Sequence, residues 1–109
     1  MSNLAAYYTY RVFFDQADGY FVATVAEWPS LSCAADSQVE ALNGVVEVVK
    51  DALSLLTEDG GQPPCPLQER RYSGKMTLRV PPELHRRLAI EAAEQNVSIN
   101  RLAATKLAA

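Results

Sequence analysis

The sequence predicts an α+β fold in two modules: a βββα(β) front half over residues 1–66 and a βαα tail over residues 67–109. Three observations carry that reading. Aromatic and β-branched residues alternate over residues 7–14 and cluster again over residues 20–28, the signature of half-buried strands. Val39, Leu42, Val46, Val49, Leu53 and Leu56 then fall three and four apart, the spacing of one helical face. Finally, Lys75-Met76-Thr77-Leu78-Arg79-Val80-Pro81 returns to strict alternation and is followed at once by two short helical patterns.

In the front half, Asp15-Gln16-Ala17-Asp18-Gly19 supplies the turn of a hairpin, and Pro29 breaks its second strand. Residues 31–35 suit a short third strand. Ser37-Gln38-Val39-Glu40 is a capping box that starts a long helix, whose apolar stripe is expected to cover the hairpin. Gly60 and Gly61 end it, and Gly60-Gly61-Gln62-Pro63-Pro64-Cys65-Pro66 forbids any continuation, which marks the boundary between modules. A fourth strand is hard to find among residues 62–67. The sequence leaves it very short or supplied by another chain.

In the tail, a strand over residues 75–81 would hide Met76, Leu78 and Val80 and present Lys75, Thr77 and Arg79. One such strand can neither bury its apolar face nor satisfy both edges, whereas two copies paired antiparallel across a two-fold axis do both. The resulting ribbon is narrow enough for the major groove of B-DNA, where Lys, Arg and Thr reach base edges and phosphates. Pro81 and Pro82 stop the strand and open a helix carrying Leu84, Leu88 and Ala92 every fourth residue. Asn96 suits a left-handed helix end. Ser98 suits the N-cap of a last helix that turns Ile99, Leu102, Ala103 and Leu107 toward a core.

Charge divides with the modules. Residues 1–66 hold two cations against nine carboxylates, minus seven, and residues 67–109 hold eight against four, plus four, which together give the net minus three of the chain. A basic module that meets DNA is thus joined to an acidic one that suits a cationic partner. No apolar run approaches the roughly 18 to 20 residues that cross a bilayer, and the N-terminus lacks a signal peptide's basic start and apolar core, so the expected location is cytoplasmic with no membrane partner. Cys33 and Cys65 lack metal-ligand spacing and His85 is the single histidine, so neither metal nor cofactor is expected.

Residues 73–109 resemble the ribbon-helix-helix family of DNA-binding dimers, on the strand at 75–81, the helix opening at Pro82, and Val97-Ser98-Ile99-Asn100 at the start of the last helix. The resemblance implies that Lys75, Thr77 and Arg79 face the bases, that Met76, Leu78, Val80, Leu84 and Leu88 form the dimer core, and that Ser98, Ile99 and Asn100 clamp a phosphate. Unpaired amides at a helix start suit that last role on physical grounds. Gly19-Tyr20-Phe21-Val22-Ala23 into Glu27-Trp28-Pro29-Ser30-Leu31, then Ala35-Asp36-Ser37, the Ala41-Leu42 helix and Tyr72-Ser73-Gly74-Lys75 onward extend the likeness: nearly the whole chain resembles the HicB antitoxin family.

That family joins a partial ribonuclease-H-like module to a DNA-binding tail. The resemblance implies a type II toxin-antitoxin partner that occludes a small basic HicA-like toxin, a ribonuclease of messenger RNA. It further implies repression of the shared operon, as a homodimer or a tetramer, at a two-fold symmetric operator. A stand-alone ribbon-helix-helix transcriptional regulator without a toxin is the alternative. Ribonuclease-H-like folds can also hydrolyse nucleic acid with clustered carboxylates and metal ions. Here Asp15 and Asp18 belong to a turn, Asp36 and Glu40 to helix initiation, and Glu47 lies off the apolar stripe, so no catalytic residue and no enzymatic activity are expected.

Overall fold

The computed structural model describes residues 4–109, which divide into two compact units between Tyr72 and Ser73. In the first unit β1 (Tyr10–Asp15), β2 (Tyr20–Val25) and β3 (Ser32–Ala35) form an antiparallel sheet in that order, and α1 (Gln38–Glu58) packs against all three strands. The second holds α2 (Pro82–Gln95) and α3 (Ile99–Ala108). The fold is therefore α+β, with three strands and three α-helices among the described residues.

The β1–β2 hairpin closes where the sequence places its turn. The Gly19 amide donates to Asp15 O at 2.8 Å and the Ala17 amide to Asp15 Oδ1 at 3.0 Å, while Gly19 takes φ 74°, a conformation cheap only for glycine. β2 stops at Val25 instead of running on to Trp28. The Ala26 amide still donates to Thr9 O at 2.9 Å, but the Trp28 amide turns back to Val25 O at 3.2 Å and the Leu31 amide to Trp28 O at 3.0 Å, so the third strand opens at Ser32.

Helix α1 is capped at both ends by the expected residues. Ser37 Oγ accepts from the Glu40 amide at 3.1 Å, and the hydroxyl donates to Glu40 Oε1 at 3.0 Å, a variant of the capping box in which the carboxylate meets the hydroxyl. At the other end Gly60, at φ 76°, donates to Thr57 O at 3.0 Å and Gly61 to Leu56 O at 2.9 Å, the two bonds of a Schellman ending.

The buried face of α1 is rotated from the stripe of large residues. Ala41, Val45 and Val49 are fully buried, while Val39 is 68 % exposed and Leu42 is exposed as well. Close approach explains the shift. Ala41 and Val45 pack on Ala23 at the centre of β2, and a Cβ built on Gly44 would overlap Cys33 Sγ on β3, so this end of the helix sits too near the sheet for a leucine. Only farther along do Val49 and Leu53 reach a roomier cluster with Ala5, Tyr8, Val25, Trp28 and Leu31.

After α1 no fourth strand forms among the described residues. The chain makes a 3-10 turn at Leu67–Glu69 that is tied to the first unit: Tyr8 Oη donates to Pro64 O at 2.7 Å and the Leu67 amide to Glu27 Oε2 at 2.9 Å. These bonds, with Tyr72 Oη donating to Leu67 O at 2.8 Å, lie within the first unit, which runs to Tyr72. No helix of the described residues is long and apolar enough to cross a membrane.

Gly44→Ala tests the close approach. Helix propensity alone would add up to about 1 kcal/mol of stability, but overlap with Cys33 Sγ should make the variant less stable by about 1–3 kcal/mol, with Cys33→Ala in the same chain restoring the loss. Urea unfolding of the single and double variants reads both outcomes, and a Gly44→Ala chain more stable than wild type would contradict the packing.

Candidate nucleic-acid interface

The second unit starts with Gly74 at φ 83° and the Lys75 amide donating to Ser73 Oγ at 3.1 Å, and then runs to Pro81 without regular structure. Residues 76–80 make no backbone–backbone hydrogen bond among the described residues, so both edges of this stretch are unpaired. The strand expected over 75–81 is thus absent from the single chain. The physical reason is plain, since a strand exists only through its ladder and the second unit contains no other strand to pair with. Its side chains are uncovered: Met76 is 73 % exposed, Leu78 56 % and Val80 39 %, and Lys75, Thr77 and Arg79 are exposed too.

Both helices form as their caps dictate. Pro82 occupies the first turn of α2 with Glu83 behind it, and Asn96 ends it at φ 59°, with the Asn96 amide on Ala93 O at 3.2 Å and the Val97 amide on Ala92 O at 3.0 Å. Ser98 caps α3, its Oγ accepting from the Arg101 amide at 3.0 Å. The amides of Ile99 and Asn100 precede any possible intrahelical acceptor, and Ser98, Ile99 and Asn100 are all exposed, so two donors and a hydroxyl stand open at the positive end of the helix.

The helices meet along a thin seam. Ala92 and Leu102 are its buried residues, and Lys106 Nζ reaches Glu91 Oε2 at 3.2 Å across it. Leu84 and Leu88 are half-buried, while Ile99 and Leu107, expected in the core of the last helix, are exposed. Met76, Leu78, Val80, Leu88, Ile99 and Leu107 instead line an open apolar groove of about 630 Å³. A unit of this size that leaves its largest apolar side chains in water is short of core.

The second unit as a whole is cationic. The second unit carries six Lys and Arg against three Glu. Arg86 pairs loosely with Glu83 at 3.9 Å and Lys106 with Glu91, whereas Lys75, Arg79, Arg87 and Arg101 make no ion pair among the described residues. Four cations are left to solvent or to an anionic partner.

Carboxylates of the first unit serve local structure. Asp15 holds the hairpin turn and Glu40 the helix cap. Glu27, which the sequence offers only as one acid among many, is 9 % exposed and accepts from the Thr9 amide at 2.8 Å, Thr9 Oγ1 at 3.0 Å and the Leu67 amide at 2.9 Å. Burial alone would raise its pKa, but the bonds from the Leu67 and Thr9 amides and the Thr9 hydroxyl together hold it below the ordinary value. Burial first, and then the negative charge of Glu27, push the Tyr8 and Tyr10 hydroxyls up, which keeps them protonated as donors to Pro64 O and Ala5 O. Among the described residues no group of three His, Cys, Asp or Glu side chains is placed to hold a metal ion.

The family model described as the HicB family matches residues 58–107, from the last residue of α1 through nearly all of α3. The match supports membership of the HicB family. It covers the whole groove and both helices of the second unit apart from the last residue of α3, and it leaves out the three strands. No curated protein and no solved structure matches the chain.

Two residues that matter were invisible as such in the sequence. Glu27 stands in the sequence only within the strand-like run over residues 20–28 and the family resemblance, with nothing to mark its buried bonds, and Gly44, a glycine inside a helical pattern, is masked by the stripe of large residues around it.

The Glu27 bonds have a definite pH signature. Because the folded carboxyl titrates below 4.5, the unfolded chain takes up the proton first, so the stabilisation is complete at neutral pH and fades as pH falls below about 4.5 toward the folded value. Glu27→Gln, which turns a donor toward donors, should cost about 1.5–3 kcal/mol at pH 7, with the gap to wild type narrowing at lower pH. Urea midpoints at pH 7 and pH 4 measure this, and a constant gap would contradict it.

Proposed function

We propose that the chain is a HicB-type antitoxin. In this reading two copies pair their 75–81 segments antiparallel into a ribbon that enters the major groove of a two-fold symmetric operator, and the acidic first unit binds and occludes a small basic toxin that cleaves messenger RNA. The complex represses its own operon and acts in the cytoplasm, where operator and transcript are found. The chain performs no catalysis itself.

One observation supports the DNA half above the others: residues 76–80 lack any backbone partner among the described residues and lie beside an uncovered apolar groove. A second copy supplies what both lack. Pairing satisfies the inner edges of the two segments, puts Met76, Leu78 and Val80 against Leu84 and Leu88 of the pair, and turns Lys75, Thr77 and Arg79 outward together. The open amides at Ile99 and Asn100, with the Ser98 hydroxyl, then suit flanking phosphates, and the unpaired Arg87 and Arg101 add to the field. The toxin half draws on the family match and on the net minus seven over residues 1–66.

Arg79→Ala should weaken operator binding by about 1–3 kcal/mol for each base that the guanidinium reads, with an unchanged melting curve, in an anisotropy titration at fixed salt. Leu78→Asp should leave the chain monomeric in sedimentation velocity and abolish operator binding, because it puts a carboxylate into the dimer core. Affinity unaltered by Arg79→Ala, or a dimer intact in Leu78→Asp, would refute the ribbon. Co-expression with the neighbouring small reading frame tests the toxin half: rescue of growth and a stable complex support the antitoxin, and neither would leave the stand-alone regulator.

A further inference from the structure

The groove of the second unit holds one titratable group that the DNA-binding reading does not use. His85, on α2, lines it together with Met76, Val80, Leu88 and Ile99. In the single chain the imidazole is exposed to water. Resting on the reading that a second copy covers this groove, we propose that His85 is a pH-sensitive switch of the dimer: protonation of the two histidines opposes closure of the groove and so releases the operator.

The argument is one of desolvation and like charge. An imidazole among methionine, valine, leucine and isoleucine side chains is tolerated in a closed interface when neutral and disfavoured when charged, because its hydration is lost without an anion in return. The rest of the groove lining offers none. From the extended segment the groove receives Lys75, itself a cation, and from α3 it receives Asn100, which is uncharged. On α2 the neighbouring carboxylate, Glu83, is already engaged by Arg86 and lies outside the groove lining. A two-fold axis doubles the effect, since each dimer closes over two imidazoles. Histidine is the side chain whose ordinary titration, near pH 6.5, falls within the range a cytoplasm crosses under acid stress.

Sedimentation equilibrium of the full chain without DNA, between pH 8 and pH 5.5, tests this above the range where Glu27 takes up its proton. Dimer affinity should fall by about tenfold or more on acidification, because two imidazoles that gain charge resist the closed groove together. His85→Gln, uncharged at both pH values, should dimerise with the same affinity at each, and His85→Lys should dimerise weakly at pH 8 already. A wild-type constant that does not change, or a His85→Gln chain that keeps the pH dependence, would overturn the switch while leaving the dimer intact. A wild-type chain that is monomeric at pH 8 would overturn the dimer reading and the switch with it.

Discussion

Backbone hydrogen bonding sets the terms for the second unit. Five consecutive residues, 76–80, leave their amides and carbonyls without a backbone partner among the described residues, and the same residues carry three apolar side chains into water. In water alone each unpaired peptide group is solvated at little cost, but nothing then holds the segment in one conformation, and ordering it costs about 1–2 kcal/mol of backbone entropy per residue. In the proposed dimer a ladder with a second copy would offset that cost by cross-strand packing and by covering the groove. The helices behind the segment are well capped at Ser98 and Asn96, yet their shared core rests on Ala92 and Leu102. Local structure is thus complete where tertiary structure is not.

The first unit solves the opposite problem. Its helix lies so close to the sheet that small residues, Ala23, Ala41 and Gly44, make the contact, and a buried carboxylate, Glu27, ties together segments distant in sequence. Glu27 joins Thr9, the residue before β1, to Leu67 after α1, and so fastens the end of residues 62–67, where no fourth strand forms among the described residues. Of its other carboxylates, Asp15 and Glu40 hold a turn and a cap, and Glu47 pairs with a single exposed lysine, Lys50.

Local signals were the legible ones. The Asp15 to Gly19 turn, the Ser37 cap, the glycine stop at Gly60 and Gly61, and the Asn96 and Ser98 caps each depend on a few neighbouring residues, and each stands as the sequence implies. What failed depends on distant neighbours. Val39 and Leu42 obey helical spacing but face water, because periodicity reports a stripe and not how near the sheet lies. The role of Glu27 needs Leu67, forty residues away, and no local pattern encodes that. The strand at 75–81 is a third case: the residues alternate, but a strand forms only through a ladder, and the second unit contains no other strand to pair with.

Amide hydrogen exchange across residues 76–80 of the full chain, followed from high to low protein concentration, bears most directly on the proposed ribbon. Pairing between copies predicts slow exchange in that segment at high concentration, alternating along the ladder and lost on dilution while α1 stays protected. Exchange there at the rate of an unstructured peptide at every concentration would contradict the account.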